Sequence, residues 1–227
     1  MNSDTQVVVL LSGGLDSTTA LALAHKRAHP VMAVSVDYGQ RLIVELEAAR
    51  QVAAYYEVPH IVLDMTAWGR QLTGCAFTQH DIPIEAGTYD SYLQAGNTTT
   101  VVPNRNATML MAAAGIAASI NAHEVWTATH ADDQNMYPDT RPEFMEAIAH
   151  ACELGTGGQV TIRAPFSTWP KSNIAHLGDK LGAPLHLTWS CYQGGQRHCG
   201  SCATCIDRHA AFTRAGIADP TEYEVQP

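Results

Sequence analysis

The chain has 227 residues, enough for one sizeable core and short for two. Hydrophobic residues make up 46% and charged residues 15%, which excludes a disordered polar chain and points to a folded α/β or α-rich protein. A net charge of −9, with no Lys/Arg cluster, argues against unaided grip on a nucleic acid and favours a small-molecule substrate.

Taken in chain order, residues 1–6 are polar and unlike a secretory signal, so a cytoplasmic protein is expected. Residues 7–11 form a continuous apolar run, as a strand covered on both faces should. Helix is expected over 17–28, strand over 31–36, helix over 42–56 and strand over 61–65. Such alternation implies parallel strands joined by helical crossovers. Residues 66–100 break the rhythm; so long an irregular stretch inside a domain is functional or mobile. The pattern resumes with helix over 107–122, strand over 124–129, and helix over 141–154 with Pro142 at its start. Strand over 160–165, helix over 171–181 and a last helix over 204–215 complete the chain. The apolar stretch 109–120 is too short to span a bilayer and reads as a buried helix. One domain over 1–227 is expected.

The sharpest motif, Ser12-Gly13-Gly14-Leu15-Asp16-Ser17 followed by Thr18, lies between the first strand and the first helix. Amides at a helix N-terminus favour an anion, and Gly13 and Gly14 let the backbone approach a phosphate closely. Ser12 and Ser17 offer hydroxyls, and Asp16 either holds Mg²⁺ or braces the loop. The segment lacks the lysine of a Walker loop. It resembles the pyrophosphate loop of the ATP pyrophosphatase superfamily. That resemblance implies ATP on Leu11–Thr18, with the second strand, up to Asp37, helping to hold adenine.

The second motif is Cys191, Cys199, Cys202 and Cys205, the last three as overlapping C-x-x-C pairs. Four crowded thiolates suit a closed tetrahedral zinc site in a reducing compartment, making 186–227 a zinc-binding subregion. His198 and His209 are spare ligands. Cys75 and Cys152 are isolated and read as small buried residues.

Further segments join these two: Val36-Asp37-Tyr38-Gly39-Gln40-Arg41 with Glu45-Leu46, Val102-Pro103-Asn104-Arg105-Asn106, Tyr137-Pro138-Asp139-Thr140-Arg141-Pro142-Glu143-Phe144, and Thr188-Trp189-Ser190-Cys191-Tyr192. Arg208 and Phe212 follow the last cysteine. In this order the chain resembles, over nearly its whole length, the 7-cyano-7-deazaguanine synthases of queuosine-precursor biosynthesis. The resemblance implies a Rossmann-like parallel sheet of the adenine-nucleotide alpha-hydrolase type, a homodimer, and a ligase using ATP and ammonia. Such enzymes adenylate 7-carboxy-7-deazaguanine, form the amide, then activate and eliminate its oxygen to leave the nitrile.

Within that chemistry Asp16 and Ser17 serve phosphate, and Arg105, Arg141 and Lys171 offset the repulsion between a carboxylate and ATP. Asp133, Asp139 and Asn106 are candidates for the heterocycle's edge, and Tyr137 for its face. Each has a plainer role open to it: an ion pair for Lys171, a cap for Asp133 or Asn106, core packing for Tyr137. The chain departs from the family pattern at Asn104 (commonly Gly), Asn135-Met136 (Ser-Gly), Thr140 (Cys), Ala128-Thr129 (Gly-Val) and Ala131 (an acid). The departures gather on the presumed substrate loops. They keep two neighbours in play, a ligase that stops at the amide and one acting on another carboxylate. A tRNA sulfurtransferase lacks support without a basic surface, and a zinc-ribbon binding module would not need the ATP loop.

Overall fold

The computed structural model describes residues 7–27 and 31–227. The polar segment 1–6 and the expected end of the first helix at 28 lie outside the described residues. The strands β1 (Val7–Leu10), β2 (Val31–Asp37), β3 (His60–Asp64), β4 (Glu124–Trp126) and β5 (Thr161–Arg163) form one sheet. All pairings are parallel, in the order β3-β2-β1-β4-β5. β1 is central, with Val7 in register with Val31 on one side and Glu124 on the other.

Period-two alternation sends neighbouring residues of each strand to opposite faces. Val7, Val9, Val31 and Ala33 enter a core with α1 (Leu15–Arg27), α2 (Ile43–Tyr55), α7 (Lys171–Lys180) and α8 (Ala203–Ala215). Val8, Met32, Val34 and Val125 face α5 (Arg105–Ser119) and α6 (Pro142–Gly155). Both faces are covered, which is why these strands read as unbroken apolar runs. The chain runs outward from β1 through β2 to β3, then returns to β4 on the other side of β1. This reversal opens a crevice beyond the strands' carboxyl ends.

β4 and β5 are shorter than the sequence pattern suggests. Thr127 N still donates to Arg163 O at 2.9 Å, but residues 127–129 then leave the ladder to line that crevice. α5 starts two residues earlier than expected, at Arg105. Its N-cap Asn104 has φ 56°, the left-handed region that asparagine tolerates better than most residues. This accounts for Asn at a place where the family pattern carries Gly.

The irregular stretch carries two short helices, α3 (Thr66–Gly69) and α4 (Tyr89–Gln94), the latter started by a Thr88–Ser91 capping box. Cys75, Ala76, Phe77 and Ile84 bury themselves against Val36, Tyr38, Leu42 and Val102. Arg41 fastens the segment, its amide donating to Phe77 O at 2.8 Å and its guanidinium to Ile82 O at 3.0 Å. The stretch is therefore a packed wall, irregular because its bonds run to other elements.

The C-terminal part is latched by Arg208, 1% exposed. Its guanidinium donates to Thr188 Oγ1 (2.8 Å), Ser190 Oγ (3.2 Å) and Leu185 O (3.1 Å), while Asp219 lies 3.7 Å away. Arg208→Met should cost about 3–5 kcal/mol of unfolding free energy, because it strands buried acceptors and the Asp219 charge. Urea titration of both proteins measures this; a loss below about 1 kcal/mol would show the latch to be idle.

Candidate functional site

The loop after β1 is shaped by Gly13, at φ 86°. A Cβ there would stand 2.2 Å from Glu45 O and 2.7 Å from Ala49 N, so only glycine lets α2 approach so closely. Trp189 N donates to Gly13 O at 2.9 Å, tying the loop to the strand of chain that leads into the cysteines. Ser17 Oγ accepts from Ser12 N at 3.2 Å and sits 3.0 Å from Ser12 Oγ. Gly14 N donates to Ser12 Oγ at 3.3 Å. The first amides of α1 have no carbonyl partner within the helix and open onto the crevice, an arrangement suited to phosphate.

A buried ionic cluster braces this loop. Asp16 Oδ2 lies 3.5 Å from Lys171 Nζ and 3.6 Å from His130 Nε2. Lys171 Nζ also meets Asp207 at 2.8 Å, and His130 Nε2 meets Asp133 at 3.3 Å. Burial alone would raise Asp16, but Lys171 and His130 outweigh it and hold the carboxyl well below the usual range. Burial likewise opposes charge on His130, yet Asp133 and Asp16 push it up to about 9. Lys171 is held above the ordinary lysine value against burial by Asp16, Asp207 and Asp133. Asp133 is raised, burial outweighing the pull of His130 and Lys171. His130 is therefore a cation near neutrality, and burial makes Asp133 a stronger base than an exposed carboxylate. Asp16 Oδ1 is buried with no hydrogen-bond partner among the described residues, an oxygen that suits a hard cation.

The loop opens into a cavity of about 250 Å³. Of the residues singled out in the sequence, Leu11, Ser12, Gly14, Leu15, Asp16, Ser17, Arg105, Asn106, Asp133, Tyr137 and Lys171 line it. Thr18 is fully buried behind the loop. Asp37 stands at the end of β2 and accepts from Gly39 N at 2.9 Å, while Val34, Ser35 and Val36 face the cavity in its place. Asp139 caps α5, accepting from Asn106 N at 2.8 Å, and does not line the cavity. Arg141 also stands outside, its Nε donating to Gln134 O at 3.0 Å.

Four contributors escaped the sequence reading. Asp207 sits among the cysteines, which drew attention from it. Glu45 lines the cavity from α2; burial pushes it up to about 8, with Arg105 pulling down and Cys191 pushing up. Tyr89 and Tyr192 join Tyr137 in a chain of hydroxyls, 2.7 Å from Tyr89 Oη to Tyr192 Oη and 3.1 Å on to Tyr137 Oη. These three rings come from α4, the loop after β4 and the cysteine segment. Tyr192 and Glu45 were visible within longer motifs, but nothing in the sequence said that they line one cavity.

The sulfurs of Cys191, Cys199, Cys202 and Cys205 all lie within 4.8 Å of one another, Cys199 and Cys205 at 3.9 Å. Backbone amides point at them: Cys199 N to Cys191 Sγ at 3.3 Å, and Cys202 N to Cys199 Sγ at 3.3 Å. Such donors favour thiolates, and the cluster can hold a metal ion. Gly200 (φ 77°) makes the turn and passes against Val225 O, where a side chain has no room. The two histidines have other work. His198 Nε2 accepts from Ser190 N at 3.1 Å, burial and Arg208 holding the ring down at about 4, and His209 Nδ1 faces Asp219 at 3.6 Å.

The family model for the queuosine biosynthesis protein QueC matches residues 6–216. A 7-cyano-7-deazaguanine synthase of Allorhizobium ampelinum is 45% identical over 224 residues, 96% of this chain and 92% of that protein. One from Agrobacterium fabrum is 46% identical over 226 residues, with 96% and 92% covered. Among solved structures, the NMN synthetase of Francisella tularensis shares the fold, with a TM-score of 0.50 at 17% identity over 95% of this chain and 79% of that one.

The raised His130 makes stability depend on pH. Its folded value of about 9 lies above the ordinary 6.5, so its contribution is complete below about pH 6.5 and lost as pH rises through 9. The stability difference between the wild type and His130→Gln should be ~3 kcal/mol near pH 6 and should shrink steadily by about pH 9.5. Paired urea titrations check this; a difference that stays constant contradicts the charged role.

Proposed function

We propose, on the premise that the chain belongs to the queuosine biosynthesis protein QueC family, that it is an ATP-dependent carbon–nitrogen ligase making 7-cyano-7-deazaguanine from 7-carboxy-7-deazaguanine and ammonia. The observation that carries this reading is the shared cavity. The phosphate loop with Lys171 lies on one wall, and Arg105 with the tyrosines lies on the others.

ATP phosphates sit at the start of α1, held by the loop amides and the Ser12 and Ser17 hydroxyls, with Lys171 offsetting their charge. Arg105 holds the carboxylate of the substrate, its guanidinium otherwise donating, among the described residues, only to Tyr38 Oη at 3.3 Å. A carboxylate oxygen attacks the α-phosphorus and pyrophosphate leaves. Ammonia then displaces AMP, and Asp133 accepts the proton released. The amide oxygen attacks a second ATP in the same way. Loss of AMP and of both N–H protons leaves the nitrile. Asp16 Oδ1 would hold a Mg²⁺ accompanying the nucleotide, which would supply charge neutralisation for pyrophosphate.

The metal of the four cysteines is zinc in this reading, bound structurally: four sulfurs leave no open position for a substrate. Residues 186–227 are then the zinc-binding subregion of a single domain spanning 1–227. The enzyme works as a cytoplasmic homodimer, without direct contact to nucleic acid or membrane. The support is the family, the acidic charge, and the fact that no helix among the described residues is long and apolar enough to cross a membrane.

A second reading, a ligase that stops at the amide, draws on Thr140, a departure from the family pattern that lines the cavity. Incubation with 7-carboxy-7-deazaguanine, ammonium and excess ATP, followed by mass spectrometry, should yield the nitrile together with AMP. Amide as the end product would select the second reading, and absence of AMP would overturn both. Metal analysis should find about one zinc per chain, and Cys205→Ser should lower metal content and unfolding midpoint together, because ligation is coupled to folding. Full stability after complete metal loss would remove zinc from the account.

A further inference from the structure

Three carboxyls line the cavity: Asp16, Asp133 and Glu45. Asp16 is engaged by Lys171 and His130, and Asp133 by His130. The Glu45 carboxyl has no hydrogen bond or ion pair to any described residue, although it faces Arg105 across the same space. A desolvated acceptor that the protein leaves unpartnered at a cavity wall is an acceptor arranged for a ligand.

We infer that Glu45 is the specificity-determining carboxylate for the heterocyclic substrate, reading the adjacent amino and ring N–H donors of its guanine-like edge. This rests on the substrate class proposed above. Burial raises Glu45 to about 8 with the cavity empty; two N–H donors of such an edge bond the ionised form and draw it back to a carboxylate that accepts both, a match that an isolated hydroxyl or amide does not offer. The rest of the cavity agrees. Phe77 and Tyr192, 4.8 Å apart and edge to face, give the ring an aromatic wall, and Arg105 is the counter-charge for its carboxylate. Of the acids that the sequence suggested for this edge, Asp139 is spent on the α5 amide and Asp133 is paired with His130. Glu45 is also fixed relative to ATP: its own carbonyl is the group that presses on Gly13. One turn of α2 thus sets the distance between the phosphate loop and the acid that orients the substrate.

The test compares wild type, Glu45→Gln and Glu45→Asp on 7-carboxy-7-deazaguanine and on the analogue lacking the 2-amino group. Steady-state kinetics and calorimetric binding are the readouts, with circular dichroism and urea midpoints recorded for each variant. The wild type should prefer the amino-bearing ring by roughly tenfold or more. Glu45→Gln should abolish that preference and raise KM for the true substrate by roughly tenfold or more, leaving KM for ATP unchanged. Glu45→Asp, one methylene shorter, should fall between. Preference retained in Glu45→Gln, or a change confined to KM for ATP, overturns the inference and leaves the proposed function standing. A wild type that turns over the carboxylate without discriminating the two rings does the same. A wild type without turnover on 7-carboxy-7-deazaguanine overturns the proposed function itself, and this inference with it.

Discussion

The contact between Lys171 and the two carboxylates of Asp16 and Asp207 holds the site together. Lys171 opens α7, Asp16 opens α1, and Asp207 lies within α8. Three elements far apart in sequence are thereby fixed at one point, directly behind the phosphate loop. Charges so deeply desolvated are unfavourable alone and tolerable only in company, so the cluster forms as a unit or not at all. His130 and Asp133 extend it to the end of β4. The cluster is thus built from groups that need one another in the folded chain.

That dependence explains why a cysteine cluster belongs in this enzyme. Cys205, Asp207 and Arg208 are within one turn of α8. Holding the four sulfurs together fixes the start of that helix, which fixes Asp207 against Lys171 and Arg208 against Thr188 and Ser190. From there the chain reaches Trp189, whose amide holds Gly13 O. The cysteine segment and the loop after β1 are therefore mechanically one assembly, joined by hydrogen bonds.

The aromatic part of the lining is made differently. It draws on the irregular stretch for Phe77 and Tyr89 and on the cysteine segment for Tyr192. Its hydroxyls satisfy one another across segment boundaries, which keeps three rings oriented without a regular element beneath them.

Much of this was legible in the sequence. The apolar runs 7–11 and 31–36 announced buried parallel strands, the Gly-Gly motif announced a loop that borders the cavity, and four close cysteines announced a cluster able to hold a metal ion, because each depends on residues adjacent in the chain. Asp139 and Arg141 illustrate the limit: both sit in a motif of the right kind, yet one caps a helix and the other bonds a loop carbonyl outside the cavity. Asn104, by contrast, made local sense once its left-handed backbone was seen. The sequence by itself determined the strands, the loop, the thiolate cluster and the family, all of which are set by local pattern. Only the tertiary structure decided that His130 is charged, that Asp207 completes the lysine's shell and that Glu45 faces an open cavity. Charge state and hydrogen-bond vacancy are fixed by neighbours brought together across the sheet, and no local run of residues encodes them.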